Sequence, residues 1–216
     1  MKTASDGGNQ VEEQLLRDSV GEFARKRIAP LAHELDEKEE FSYELTKEMG
    51  DLGLFGTFID PRFGGHGLGY SAYLAAVEEL AKVDGSQAAT IAAHNSLGIG
   101  PLNDYGTDEQ KRRFLPQLCT GTGLWAFGLT EASAGSDAQA SKTRASYDTR
   151  SDEWVIEGSK LWITNSATSI TKGITVQAIT GERADGRPEL SCFLVPIGAK
   201  GLHCVGMKKK MMWRAS

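Results

Sequence analysis

Two stretches of the 216-residue sequence combine residue types that can hold a ligand. The first is Phe127-Gly128-Leu129-Thr130-Glu131-Ala132-Ser133-Ala134-Gly135-Ser136-Asp137, which reads as a strand running into a turn dense in small residues and hydroxyls. Such a turn can aim several backbone N–H groups and the Ser136 hydroxyl at one anion, and so suits a phosphate or pyrophosphate without any lysine. An Asx or Ser turn between strands accounts for the same residues equally well. The second stretch is Lys160-Leu161-Trp162-Ile163-Thr164-Asn165. Read as a strand, it puts Trp162 and Thr164 on one face. A flat heteroaromatic ligand would find an aromatic wall and a hydroxyl donor there, with a second donor from Thr130. A tryptophan packed in a β-core is the competing reading.

Other candidates carry less. Phe63-Gly64-Gly65-His66-Gly67-Leu68-Gly69 has the glycine density of a phosphate loop, but position 70 is Tyr70 and no Gly-Lys-Ser/Thr follows, so a tight connection between helices is favoured. His33, His66, His94 and His203 lie far apart with no H-x-x-x-H pair, which gives a metal site little support. Lys208, Lys209 and Lys210 read as a solvated basic face that can help attract an anion.

The elements that must position these residues change in period near residue 122. Before it, apolar residues recur at helical spacing. A helix is expected over Val11–Ala29, ended or kinked by Pro30 and resumed over Leu31–Leu35. A second is expected behind the N-cap Ser42 with Leu45, Met49 and Leu52 on one face and Gly53 at its end, a third over Ser71–Val83, and an Ala-rich fourth over Ser86–Leu97. Thr107 and Gln110 form a capping-box pattern that starts a fifth, running to Leu118. After Gly123 come short β-branched and aromatic runs at 124–129, 142–147, 153–156, 160–164, 174–180, 190–196 and 202–205. Helices first and strands second predict an α+β chain with segregated domains. Residues 1–122 form an all-α domain and 123–216 a small antiparallel β-barrel or sandwich, which excludes a doubly wound nucleotide fold.

Composition narrows the partners. A net charge of −5 and a pI near 5.5 argue against nucleic acid as the main partner. Cys119, Cys192 and Cys204 are odd in number and lack C-x-x-C spacing, so neither a disulfide framework nor a thiolate zinc site is indicated, and a reducing compartment fits. The polar stretch Met1–Gln10 has no signal-peptide core, and no run of about 18 apolar residues could span a membrane. A cytoplasmic protein of a bacterium fits, as does a mitochondrial matrix protein after removal of its transit peptide.

Gly128-Leu129-Thr130-Glu131-x-x-Ala134-Gly135-Ser136-Asp137 followed by Gly158-x-Lys160-x-Trp162-Ile163-Thr164-Asn165 resembles the paired flavin signature of the acyl-CoA dehydrogenases. Glu48-Met49-Gly50-x-Leu52-Gly53-Leu54-Phe55-Gly56, Glu78-Glu79-Leu80-Ala81, His94-Asn95-Ser96-Leu97 and Tyr105-Gly106-Thr107-x-Glu109-Gln110-Lys111 extend the likeness, in order, over nearly the whole chain. The resemblance implies a helical domain, a middle β-domain and a C-terminal helical bundle, with FAD bound between the last two. It implies α,β-dehydrogenation of an acyl-CoA thioester to a trans-2-enoyl-CoA, with electrons passed to an electron-transfer flavoprotein. A homo-oligomer, dimer or tetramer, is implied at full length. By the same resemblance Phe127, Gly128, Leu129 and Thr130 line the flavin, Ser136 lies where cofactor and CoA approach each other, Trp162 and Ile163 lie against the ring, and Thr164 bonds near its N5.

The base of this reaction is, in the family, a glutamate of the C-terminal bundle. No residue here matches its motif, so the 216 residues are expected to be an N-terminal portion without the catalytic base, and Glu131 is read as part of the flavin loop. A flavin oxidase or monooxygenase of the same fold, or a non-catalytic binding or oligomerisation module, are the alternatives. The chain departs from the family pattern at Ala132, where proline is usual, and at Met212, where glycine usually precedes the tryptophan. If that glycine serves a turn with positive φ, Met212 is expected to carry strain.

Overall fold

The computed structural model describes residues 6–216, with side chains from residue 13 onward. The expectations that rest on Met1–Ser5 and on the Val11 side chain lie outside the described residues. The helical part comprises α1 (Asp6–Phe23), α2 (Ala29–Lys38), α3 (Tyr43–Asp51), α4 (Gly69–Ala81), α5 (Gly85–Ala92), α6 (Gly100–Tyr105) and α7 (Asp108–Leu118).

Local chemistry explains the boundaries. The Ser42 hydroxyl accepts the Leu45 N–H at 3.2 Å and starts α3, which buries Leu45, Thr46 and Met49; Gly53, at φ 75°, takes the chain out of it. At α7 both halves of the capping box form, Thr107 Oγ1 accepting the Gln110 N–H and Gln110 Oε1 accepting the Thr107 N–H. Of the two outcomes expected at Pro30, an end or a kink, the helical run does not end there. The chain widens into a π-turn over Ala24–Ile28, and α2 begins around the proline, which sits where a missing N–H costs nothing. A second π-turn, Ala93–Ile99, joins α5 to α6.

Five strands follow: β1 (Leu124–Gly128), β2 (Arg144–Asp148), β3 (Glu153–Glu157), β4 (Thr171–Glu182) and β5 (Pro188–Pro196). The α+β division holds, but the expected antiparallel barrel or sandwich is an open, mixed sheet. β5 pairs antiparallel along one edge of β4, while β1 and β2 both run parallel to β4 on its other edge, and β3 is hairpinned outside β2. Parallel pairing of β1 with β4 needs a long crossover, and residues 129–170 supply it. The sheet is curled enough for Trp154 of β3 and Phe193 of β5 to meet, ring centroids 5.2 Å apart.

Neither 160–164 nor 202–205 is a strand. Left-handed backbone at Trp162 (φ 57°) and Asn165 (φ 66°) breaks the pleat, so the expected shared strand face of Trp162 and Thr164 does not exist.

Helices and sheet share one dry junction. Trp125, fully buried on β1, packs with Ile99, Leu102, Leu115 and Leu118 of the helical part and donates from Nε1 to Thr175 Oγ1 at 2.9 Å. Fully buried His94 lies between the Leu118 carbonyl (Nε2, 2.8 Å) and the Trp125 N–H (Nδ1, 3.1 Å), a pairing that requires the neutral tautomer with its proton on Nε2. Gly98 lets the π-turn press onto β1, since a Cβ there would sit 2.2 Å from the Trp125 carbonyl oxygen.

Candidate functional site

The glycine-rich connection between α3 and α4 is not a phosphate cradle. Its N–H groups are spent inward: His66 donates to Gly56 O, Gly67 to Ile59 O and Leu68 to Thr57 O. Among the described residues no group of three metal-ligating side chains converges.

The two ligand-competent stretches do come together. β1 ends at Gly128, and the chain turns back through a Glu131–Ala134 bridge. Residues 160–164 lie against this turn. The Leu161 N–H donates to Thr130 O at 2.9 Å, and Lys160 Nζ donates to Leu129 O at 3.1 Å and to Glu131 Oε1 at 2.7 Å.

Glu131 is the centre of this knot. Its carboxylate accepts from the Ser141 hydroxyl, the Lys142 N–H (2.7 Å), the Thr143 N–H (3.1 Å), the Thr143 hydroxyl (2.6 Å) and Lys160. Burial pushes its pKa up, but the Lys160 ammonium and the donors of Ser141, Thr143 and Lys142 outweigh that and hold it well below the usual carboxylate range.

The knot forms one side of an open cleft of about 1360 Å³. Apolar side chains of the curled sheet, Ile156, Ile174, Val176 and Val195, line it together with Gly128, Trp162, Ile163, Thr164 and Asn165. The segment from Lys38 to Tyr43 and residues 199–214 complete its walls. Trp162 is 68% exposed, so its indole is not packed into the core. Asn165 donates to Thr90 O at 3.0 Å, while its Oδ1, buried at the cleft, has no partner among the described residues.

Of the residues singled out from sequence, Gly128, Trp162, Ile163 and Thr164 share this cleft. Phe127 lies half-buried on the opposite face of β1, with Trp125. Leu129 and Thr130 continue from the strand end, half-buried, and Ser136 sits exposed on the turn, outside the cleft lining.

The basic run is not simply a solvated face. Lys208 Nζ donates to Glu39 O (2.7 Å), the Lys209 N–H to Glu39 Oε2 (2.6 Å) and Arg214 Nη2 to Glu39 Oε1 (3.2 Å), which fastens the last segment to the end of α2. Met212 is not in the left-handed region; Lys209 (φ 59°) and Trp213 (φ 52°) are, so the strain expected at Met212 falls on its neighbour. Sequence reasoning missed the Glu39 anchor and the Lys160–Glu131 pair. The second left a trace, the hydroxyls Ser141 and Thr143 spaced to surround one acceptor.

A helical domain joined to a curled mixed sheet, with two loops tied together beside one cleft, defines a known class. The N-terminal domain model of the acyl-CoA dehydrogenases matches residues 10–122 and their middle domain model matches 126–215, and the chain belongs to that family. A probable acyl-CoA dehydrogenase of Bacillus subtilis is 42% identical over 95% of this chain and 53% of its own length. The butyryl-CoA dehydrogenase of Megasphaera elsdenii superposes with a TM-score of 0.84 at 32% identity, over 100% of this chain and 55% of that one. An acyl-CoA dehydrogenase of Bacillus anthracis, solved in complex with FAD, gives 0.85 at 32% identity, over 95% and 34%. The chain spans about half the length of the curated relatives it matches. Among the described residues no helix is long and apolar enough to cross a membrane.

Proposed function

We propose that the cleft binds FAD and that the whole protein oxidises an acyl-CoA thioester to its trans-2-enoyl-CoA, with an electron-transfer flavoprotein as electron acceptor. The observation that carries this reading is the meeting of both signature loops at one cleft, tied by the bonds from Lys160 and Leu161 to residues 129–131. The residues present suit a flavin. The cleft exceeds the roughly 300–1,000 Å³ of common small-molecule pockets, its sheet wall is apolar, and Trp162 offers an uncovered aromatic face.

In this reading Trp162 and Ile163 lie against the ring system and Thr164 donates to it. Of residues 127–130 only Gly128 lines the cleft, so Phe127, on the far face of β1, supports the wall from behind. Thr130 and Ser136 reach the ligand only from the cleft's margin, Ser136 toward the phosphate-bearing parts of cofactor and CoA. Bound FAD supplies the acceptor for the hydride that leaves the β-carbon. A donor held fixed at Thr164 stabilises charge that grows during reaction more than it stabilises the resting state. The reaction also needs a base at the α-carbon. Glu131 is unsuited, because a carboxylate that already accepts five hydrogen bonds and sits far below its usual pKa has no affinity left for a proton.

Titration of the purified chain with FAD tests the cofactor. A chain that stays yellow through gel filtration supports the reading, and a whole protein that emerges colourless sinks it. For the whole protein, anaerobic bleaching by acyl-CoA is the expected second result.

A further inference from the structure

We infer that Lys160 and Glu131 are a positioning pair whose role is to hold the two signature loops in a single register, so that Thr130 on one and Trp162 and Thr164 on the other reach the ligand already assembled. The inference rests on the flavin reading of the cleft. Both side chains are nearly dry, 10% and 6% exposed, and 2.7 Å apart. Lys160 spends its three N–H groups on Leu129 O, Glu131 Oε1 and Ser141 Oγ (3.3 Å), so although it borders the cleft it has no donor left for an anion there. Among the described residues, the hydrogen bonds that tie 160–164 to the rest of the sheet all end on Leu129, Thr130, Glu131 or Ser141. No strand pairing supports this segment, and Trp162 needs left-handed backbone. A buried ion pair is a poor device for stability alone, because well-packed apolar residues often serve as well; what it adds is a unique arrangement. Cys192 of β5 is a further ionisable group near the pair; burial raises its thiol pKa, and the Lys160 charge offsets part of that.

The test compares the wild-type chain with Lys160→Met, Lys160→Arg and the double variant Lys160→Met/Glu131→Gln. Hydrogen exchange reads the Leu161 amide without flavin, and FAD titration reads the site. In wild type, Leu161 protection is expected to stay level from pH 8 to 4. Lys160→Met leaves Glu131 buried without its counter-charge, so protection falls at least about tenfold and becomes pH-dependent. FAD affinity falls by about tenfold or more in a chain that still melts cooperatively. Lys160→Arg restores much of both, and the double variant loses the pH dependence but not the affinity defect. A folded Lys160→Met chain with unchanged Leu161 protection and FAD affinity overturns the inference. If that variant does not fold, wild type still decides: Leu161 must exchange far more slowly than the exposed amides beside it, and rapid exchange overturns the pair's role. Failure of the whole wild-type protein to take up FAD sinks the flavin reading, while the exchange data still judge whether the pair sets the register.

Discussion

The junction around Trp125 and the cleft around Trp162 each centre on a tryptophan, and they are built in opposite ways. At the junction the indole is fully buried, its N–H is bonded to Thr175, and His94 and Asn95 have both polar ends satisfied within the chain. At the cleft the indole is 68% exposed and the backbone beneath it is left-handed. A closed set of hydrogen bonds marks a group that serves the fold; an aromatic group held in place but left uncovered marks one that serves a ligand.

Substitutions should separate the two regions. The largest effect is expected at the junction, where Trp125→Ala should cost about 3–5 kcal/mol in denaturant unfolding through the cavity it leaves. The next is a pH effect. Burial lowers the His94 pKa from 6.5 to about 4, so below the unfolded value the unfolded chain takes up the proton first. Stability should therefore be full above about pH 6.5, fall by about 3 kcal/mol toward pH 4, and lose that slope in His94→Gln. Gly173→Ala should cost about 1–3 kcal/mol, because its Cβ would stand 2.3 Å from the Trp125 ring. At the cleft the order reverses. Trp162→Ala should leave unfolding within about 0.5 kcal/mol of wild type yet weaken FAD binding, and a stability loss as large as that of Trp125→Ala would erase the contrast. Smallest in stability is Thr164→Val, which in the whole protein should slow flavin reduction more than it weakens acyl-CoA binding.

Much of the frame was legible because its signals are local. The Ser42 cap, the Thr107–Gln110 box, the Gly53 exit and the runs that became β1 to β5 each depend on residues a few positions apart. The site was legible in part: both stretches were visible as ligand-competent, and Gly128, Trp162, Ile163 and Thr164 do share a cleft. The errors have different origins. Lys160–Thr164 has the composition of a strand, but its hydrogen bonds go to a loop thirty residues away, and that partner replaces a pleated neighbour. Pro30 has the character of a helix breaker, but a π-turn precedes it and the proline falls in the first turn of α2, where its missing N–H is tolerated.

The sequence by itself determined the capped starts of α3 and α7, that helices precede strands, and which two stretches carry ligand-binding residue types, since all of these rest on side-chain period and short-range bonding. Only the tertiary structure decided that β1 and β2 run parallel to β4, that Glu131 is a buried acceptor rather than a proton carrier, and that Lys160 joins the two loops. Those outcomes depend on which distant donors reach an acceptor once water has been excluded, and chain spacing alone does not encode that.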